Sequence, residues 1–252
     1  MNYIEIAEIL NLDAEEDIKS AGILDELINK PINNLNKKFS IKILEELIKD
    51  KPVIVFGAGP SLKCDIKKIK AQKLQDTCTL IVADGAVTAL LEENIIPGIN
   101  LTDLDGEIKS IIRANDYGTV TLIHAHGDNI NLIKNYAGKF GGIILGTTQV
   151  PEFMQKFKNL CNFGGFTDGD RCVFLCKYFN AKIIGLAGMD FGDVIGEYSG
   201  NYDYEFKIKK MNIAKKLLEE IAADCKIFNL TCGGEYLKHI PKIKADEFKK
   251  II

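Results

Sequence analysis

The chain has 252 residues, of which 46% are hydrophobic and 27% charged, and its formal net charge at pH 7 is −3. This size and composition are typical of a globular protein with a sizeable core. The slightly negative charge argues against a nucleic-acid-binding surface as the main function. The longest apolar runs are far shorter than the roughly 20 residues that cross a membrane, and the first residues lack the basic start of a signal peptide. We therefore expect a cytoplasmic protein without membrane partners.

Seven cysteines are present, and they contain no CxxC pair. An odd number without that spacing indicates neither a disulfide framework nor a zinc site. Cys172 and Cys176 are four residues apart on a predicted helix, which suits a ligand pair or a redox pair. Core packing is the more common role of cysteine at such positions. No metal site is therefore inferred from sulfur.

The first fifty residues contain three stretches in which apolar residues recur at helical spacing, starting near Ile4, Leu24 and Ile41. Pro31 and the Asn-rich stretch 33–36 interrupt them. We interpret residues 1–50 as a helical N-terminal lead-in that packs on an α/β catalytic domain of residues 51–252.

From Pro52 onward, short apolar and β-branched runs alternate with helical patterns. Strands that are apolar throughout and separated by helices predict a parallel sheet covered on both faces. We therefore expect a doubly wound α/β fold with a mainly parallel sheet and helices on both faces. The predicted strands are 53–56, 80–83, 99–101, 120–123, 143–145, 183–186 and 226–230, and the predicted helices lie near 60–76, 86–94, 106–116, 128–139, 168–179 and 204–223.

The first predicted strand ends in a glycine turn, Gly57-Ala58-Gly59-Pro60-Ser61. Ligands of an open parallel sheet bind beyond the carboxyl ends of its strands. Glycines allow a tight turn there, and proline suits the first helical position. The turn predicts an anion site built from backbone N–H groups. It is not a dinucleotide fingerprint, because Leu62 replaces the third glycine, and it lacks the lysine of a P-loop. A turn without a ligand is the alternative.

Carboxylates follow the next three predicted strands: Asp84, then Asp103 and Asp105, then Asp128. Asp103 and Asp105 are two residues apart, so their side chains point to the same side of an extended segment. Carboxylates gathered in one crevice repel one another unless a cation neutralises them. Mg²⁺ typically binds one or two carboxylates together with phosphate oxygens. We therefore expect Asp103, Asp105 and Asp128 to bind Mg²⁺, although helix capping is the alternative for each Asp taken alone.

These segments resemble the thiamin pyrophosphokinases, whose pattern is A-D-G-G followed by P-D-x-I-x-G-D-x-D-S. The matching segments are 83–86 and 97–106, and Asp128 with Lys134 resembles the Q-D-x-T-D-x-x-K segment of that family. The resemblance implies that the carboxylates bind Mg²⁺ and nucleotide phosphates. Thr102 and Asn131 depart from the pattern, and the all-β tail that supplies the thiamin site is missing. The resemblance therefore indicates the type of reaction but does not identify the acceptor substrate.

A resemblance to the archaeal 6-hydroxymethyl-7,8-dihydropterin pyrophosphokinases extends over most of the chain. It implies transfer of diphosphate from ATP to the dihydropterin alcohol with release of AMP, in tetrahydromethanopterin or folate-type biosynthesis. Bacterial motility-accessory glycosyltransferases share the same core and the G-x-G-P-S-L turn. The segments that carry the pterin-enzyme likeness are Val55 to Leu62, Asp84-Gly85, Thr102 to Gly106, His124 to Asn129 and Gly164 to Gly192.

Diphosphoryl transfer mainly requires charge neutralisation, alignment and an acceptor for the proton of the alcohol. We expect Asp84, Asp105 and Asp128 to be catalytic. Asp84 could be a fourth metal ligand, or could accept a hydrogen bond from the ribose or from the hydroxyl of the acceptor. A hydrogen-bonded structural role for His126 and a solvated one for Lys134 remain alternatives to phosphate binding. The candidates for nucleotide binding are Gly57, Gly59, Ser61, Gly85, His126 and Lys134.

A pterin ring requires a carboxylate across its 2-amino and N3 groups and an apolar or aromatic face. Asp168, Asp170 and Asp190 are the candidates for this contact, with helix capping as the alternative for Asp168 and Asp170.

Two other functions stay open at this point. One is a glycosyltransferase of the motility-accessory type that uses a nucleotide sugar, and the other is a non-catalytic nucleotide-binding module. The expected partners are small molecules, ATP and the hydroxymethyl-dihydropterin, without nucleic acid; assembly into a homo-oligomer also stays open.

Overall fold

The computed structural model describes residues 1–28, 37–200 and 203–252. The predicted interruption of the lead-in at Pro31 and 33–36 lies outside these ranges. Within them, the helices are α1 (Tyr3–Leu10), α2 (Ala14–Ile28), α3 (Lys37–Ile48), α4 (Leu62–Ala71), α5 (Ala86–Glu92), α6 (Ile108–Asp116), α7 (Ile130–Tyr136), α8 (Asp168–Tyr178), α9 (Tyr204–Ile221) and α10 (Ala245–Ile251).

The strands form one sheet in the order β6-β5-β4-β3-β2-β1-β7-β8, and every neighbouring pair is parallel. This arrangement confirms the predicted doubly wound parallel sheet. The strands are β1 (Pro52–Phe56), β2 (Thr79–Ala83), β3 (Ile99–Thr102), β4 (Val120–Ala125), β5 (Ile144–Thr148), β6 (Leu160–Cys161), β7 (Ile183–Ala187) and β8 (Ile227–Asn229).

Alternation along the strands explains why both faces of the sheet are covered. In β1, Val53 and Val55 join the core that contains residues of α3, α8 and α9, whereas Ile54 and Phe56 join the core that contains residues of α2, α4 to α7 and α10. Successive side chains of a strand point to opposite faces, so a strand buried on both sides is apolar throughout.

The switch in strand order lies between β1 and β7. The chain runs from β1 outward to β6 and then returns to place β7 on the other side of β1. Loops that leave adjacent strands in opposite directions open a crevice at the carboxyl edge, which is where such sheets bind ligands.

The helices of the lead-in pack on this layer. Ala21 and Leu24 of α2 are fully buried in the core that also contains strand residues of β4. Ile6 and Leu10 of α1 cluster with Ile213 of α9. The helical character of residues 1–28 and 37–48 agrees with the sequence pattern, and the domain boundary at residue 50 stays a prediction.

Two elements were not foreseen from the sequence. β6 has only two residues and α10 only seven, which is too short for a clear hydrophobic period. Among the helices of the described ranges, none combines the length and the apolar composition needed to cross a bilayer.

Candidate active site

A cavity of about 450 Å³ opens at the carboxyl edge of the sheet. Its wall contains the turns after β1 to β4 and β7, the start of α8, one side of α9 and the connection between α1 and α2. Among the described residues, nine acidic side chains line it against three lysines and arginines. An anionic substrate such as a nucleotide would therefore enter it only together with cations.

Three of these carboxylates meet at the ends of β2 and β3. One oxygen each of Asp84, Asp103 and Asp105 lies within 4.8 Å of the others. Asp84 has φ 42° and Leu104, between the other two, has φ 71°. Residues other than glycine rarely adopt this left-handed region, and such strain is concentrated at functional sites. The backbone at both turns is thus held in the conformation that brings the carboxylates together.

Thr102 fixes the orientation of Asp84. Its hydroxyl donates to Asp84 Oδ1 at 2.5 Å and accepts from Leu104 N at 2.8 Å. Thr102 was noted in the sequence as a departure from the thiamin pyrophosphokinase pattern, which has glycine there. In this fold the hydroxyl links the ends of β2 and β3, which glycine cannot do.

Asp103 is held from the side of β4. Its Oδ2 lies 3.2 Å from His126 Nε2, and its backbone carbonyl accepts from Asn129 Nδ2 at 2.9 Å. Asn129 is buried and also donates to the carbonyl of His124. The loop after β4 is therefore organised by its hydrogen bonds to the turn after β3.

The three carboxylates titrate differently because they share one small space. Burial, followed by the charge of Asp103, raises the pKa of Asp84 to about 7. Desolvation, followed by the charges of Asp103 and Asp84, raises the pKa of Asp105. Burial opposes ionisation of Asp103, but the hydrogen bond and charge of His126, together with the charge of Lys210 and a hydrogen bond with Asp105, outweigh it and lower the pKa of Asp103. A cation bound beside the three carboxylates would relieve the repulsion between their negative charges.

Asp128 lines the same cavity, but it is exposed and is not part of the three-carboxylate cluster. β4 continues to Ala125, so the His126 side chain reaches Asp103, and a 3-10 turn over Gly127–Asn129 follows. Asp84, rather than Asp128, forms the close cluster with Asp103 and Asp105, and the metal-binding role of Asp128 stays a prediction. Its predicted catalytic role is not supported by a contact with the cluster.

The glycine turn after β1 is present, but its amides are engaged inside the protein. Gly57 N donates to the Ala187 carbonyl at 2.9 Å and Gly59 N to the Gly188 carbonyl at 2.8 Å, while Ser61 N donates to Asp190 at 3.2 Å. These three N–H groups are therefore not free to bind an anion, and an anion site at this turn stays a prediction. A Cβ at residue 59 would collide with the Asp190 carboxylate, so the glycine permits the close approach of β1 and β7.

The remaining nucleotide-binding candidates divide into two groups. Among the described residues of the cavity wall are Gly57, Gly59 and His126, whereas Ser61, Gly85 and Lys134 are not part of it. Lys134 is exposed on α7.

The substrate-binding candidates also differ in position. Asp168 and Asp190 line the cavity, and Asp170 does not. Asp170 is fully buried and accepts hydrogen bonds from Phe166 N at 2.5 Å and Thr167 N at 2.7 Å. It therefore caps α8, the alternative noted from the sequence, and its carboxylate is not available to a ligand.

With this geometry in view, comparisons with known proteins identify the family. The family model described as 6-hydroxymethylpterin diphosphokinase MptE-like matches residues 26–196. The chain belongs to this family. The matched segment contains all three clustered carboxylates, together with Thr102 and His126.

Two archaeal relatives of this family match most of the chain. The 6-hydroxymethyl-7,8-dihydropterin pyrophosphokinase of Methanocaldococcus jannaschii is 41% identical over 225 residues, which is 86% of this chain and 91% of that protein. The pyrophosphokinase of the same name from Methanothermobacter thermautotrophicus is 39% identical over 221 residues, covering 88% of this chain and 89% of that protein.

A solved structure shares the fold alone. The MAf glycosyltransferase of Magnetospirillum magneticum AMB-1 superposes with a TM-score of 0.53 and 15% sequence identity. The match covers 90% of this chain and 39% of that one.

Sequence reasoning missed a set of residues in the cavity wall that link the loops around the carboxylate cluster. Asp17 of α2 is 3% exposed and accepts from Gly127 N and from Gln149 Nε2, both at 2.7 Å. Gln149 Oε1 accepts from Arg171 Nη2 at 2.7 Å, and Arg171 Nη1 lies 3.5 Å from Asp168. No short sequence motif contains these positions together. What distinguishes them is that they are polar and yet buried, and this becomes visible only in the fold.

Proposed function

We propose that this chain transfers the diphosphate group of ATP to 6-hydroxymethyl-7,8-dihydropterin, releasing AMP, with Mg²⁺ held by Asp103 and Asp105 and with Asp84 beside them as the proton acceptor. The observation that carries the proposal is the convergence of these three carboxylates in the cavity of a chain that belongs to the hydroxymethylpterin diphosphokinase family. The relatives named above support the choice of acceptor.

Asp103 and Asp105 fit Mg²⁺ by the chemistry of their donor atoms. Mg²⁺ is a hard cation that prefers oxygen ligands and is usually bound by one or two carboxylates and by substrate phosphates. The acidic wall of the cavity and the raised pKa of Asp84 indicate uncompensated negative charge there. When bound, the ion would neutralise charge on the phosphates of the nucleotide.

The cationic side chains of the cavity would contribute to the same task. Lys207 and Lys210 of α9 and Arg171 of α8 are the lysines and arginine in the described part of the wall. Lys210 lies close enough to Asp103 to lower its pKa, after the stronger effects of burial and of His126. We assign the lysines to the phosphate groups of ATP, since they are the part of the wall with the matching charge.

The reaction joins the hydroxymethyl oxygen to the β-phosphorus and breaks the bond between the β-phosphorus and the bridging oxygen that AMP retains. The alcohol gives up its proton in this step, and a carboxylate beside the metal ligands is suited to accept it. Asp84 is our assignment, because its raised pKa of about 7 is near that of an effective general base and Thr102 holds its carboxylate in place.

We place the pterin ring near Phe166 and Asp168 at the start of α8. Phe166 is 5% exposed and lies against Lys210 and Arg171, at 5.8 and 5.9 Å from its ring centre. Asp168 provides a carboxylate in the same part of the wall. Asp168→Asn is expected to raise KM for the pterin more than KM for ATP.

The test is an assay for both products. The protein is incubated with ATP, MgCl₂ and 6-hydroxymethyl-7,8-dihydropterin, and AMP and the pterin diphosphate are quantified by chromatography. We expect both products in equal amounts, and none without the pterin or with excess EDTA. Asp103→Asn should lose the activity, whereas Asp116→Asn, an exposed carboxylate on α6, should retain it. Release of ADP, or no turnover by the folded protein, would contradict the proposal.

A further inference from the structure

The sulfur atoms of Cys64 and Cys232 lie closer together than the sulfur atoms of two thiols that are not bonded to each other. Cys64 is on α4 and Cys232 is in the loop after β8, and their Sγ atoms are 2.6 Å apart across 168 positions of sequence. Carbon atoms that are not bonded stay about 3.5–4.0 Å apart, and sulfur is larger. The sulfurs of a disulfide are about 2.05 Å apart. We propose that Cys64 and Cys232 form a disulfide bond in this protein.

A buried carboxylate positions the two cysteines for this bond. Asp65, next to Cys64, is 1% exposed, and its Oδ1 accepts from Cys232 N at 2.7 Å. Its Oδ2 accepts from Gly188 N at 2.8 Å and from Ser61 Oγ at 2.7 Å. The backbone of Cys232 is thus attached directly beside Cys64, and the pairing does not depend on the flexibility of a free loop.

The same hydrogen bonds disfavour a metal at this position. Cys64, Asp65 and Cys232 offer three ligand atoms within 4.8 Å of one another. Zinc sites of a structural kind use four ligands, and both oxygens of Asp65 already accept hydrogen bonds from the protein. A covalent bond between the sulfurs requires no further ligand.

Both thiols are accessible to a small oxidant. Cys64 is exposed and Cys232 is partly exposed. A low-molecular-weight disulfide can serve as the oxidant. The Cys64 thiolate attacks one sulfur of that disulfide and releases one small thiol. The Cys232 thiolate then attacks Cys64 Sγ and releases the second small thiol. The two cysteines lose two electrons and two protons, and the small disulfide gains them as two thiols.

The disulfide would connect the segment that follows β1 with the loop that packs against the segment after β7, at the point where the strand order switches. α4 follows the glycine turn of β1, and the loop that holds Cys232 continues to Glu235, whose N donates to the Asp190 carbonyl at 2.8 Å. A cross-link between positions so far apart in sequence restricts the unfolded chain strongly. We expect a Tm higher by about 10 °C in the oxidised protein. This proposal does not rest on the transferase activity.

The test counts thiols and locates the bond in the full chain. The protein is reduced, freed of reductant, and treated with oxidised glutathione, after which free thiols are titrated in denaturant and peptides are mapped by mass spectrometry without reduction. We expect two of the seven cysteines to become unreactive, a mass lower by two hydrogen atoms, and one cross-linked peptide pair that contains Cys64 and Cys232.

The variants Cys64→Ser and Cys232→Ser should each abolish the cross-link and the rise in Tm, whereas Cys161→Ser, which is partly exposed on β6, should keep both. Four results would overturn the proposal: all seven thiols still reactive, a stable glutathione adduct on Cys64, a cross-link between other cysteines, or stoichiometric zinc bound by the reduced protein and lost in both variants.

Discussion

Asp17 on α2 and Gly127 in the loop after β4 are joined by a hydrogen bond of 2.7 Å between Asp17 Oδ1 and Gly127 N. The same carboxylate accepts from Tyr3 and from Gln149 through Oδ2, each at 2.7 Å. One side chain of the N-terminal helices therefore holds the loop that presents His126 to the carboxylate cluster. The lead-in thus contributes to the site by holding this loop, and Asp17 itself lines the cavity.

Asp17→Asn is expected to lower both stability and turnover. An amide has a single acceptor oxygen, so at least one of the donors that now meet the carboxylate is left unpaired in a buried position. This costs about 1–3 kcal/mol, or a fall in Tm of about 3–10 °C for a chain of this size. Thermal unfolding and the AMP assay measure the two effects. Glu15→Gln, which is exposed on the same helix, is the matched control, and equal Tm values for the two variants would refute the role of Asp17.

Asp105→Asn and Asp128→Asn are expected to behave differently. Asp105 belongs to the three-carboxylate cluster, whereas Asp128 lies outside it. Loss of a group that neutralises charge in phosphoryl transfer typically lowers kcat about 100- to 1,000-fold, so we expect this for Asp105→Asn, with a higher Mg²⁺ requirement. Asp128→Asn should retain most activity. A Mg²⁺ titration of AMP formation separates the two, and a larger loss in Asp128→Asn would return that residue to the metal site.

Thr102→Val should impair turnover while keeping the shape of the side chain. It removes the donor to Asp84 and leaves the buried N–H of Leu104 without its acceptor. Each lost hydrogen bond of this kind costs about 1–3 kcal/mol, so we expect kcat to fall about 10- to 100-fold. Thr102→Ser restores the hydroxyl and should restore kcat. If both variants are equally active, the orientation of Asp84 does not depend on residue 102.

The stabilising effect of Mg²⁺ should increase with pH. The pKa of Asp84 is raised to about 7 in the fold by burial and by the charge of Asp103, against about 3.9 in an unfolded chain. Between these values the folded protein binds more protons, so its stability without metal falls as pH rises through about 4 to 7. A cation bound by the ionised carboxylates offsets this loss.

Thermal unfolding with MgCl₂ and with EDTA at pH 5 and pH 8 measures this dependence. We expect the difference in Tm between the two additives to be larger at pH 8. In Asp84→Asn the difference should be smaller and should depend less on pH. A metal effect that is equal at both pH values in the wild-type chain would mean that Asp84 is not coupled to the metal.

The strands and the carboxylate cluster could be predicted because both depend on local pattern. Apolar runs such as Val53 to Phe56 fix strands that are buried on two faces, and adjacent parallel strands place Asp84 and Asp103 at one edge. Asp128 followed the same pattern but fell outside the cluster, because β4 is longer by two residues than the predicted strand. The length of a strand depends on its pairing, which a single sequence does not specify.

The sequence by itself determined the doubly wound sheet, the carboxyl-edge location of the site and, through its resemblance, the family. Tertiary structure decided which acidic residues converge, which ones cap helices as Asp170 does, and which distant residues such as Asp17 support the loops. It also brought Cys64 beside Cys232. The physical reason is that periodicity and turn chemistry act over a few residues, whereas burial, hydrogen-bond partners and charge repulsion depend on segments that meet only after the chain has folded.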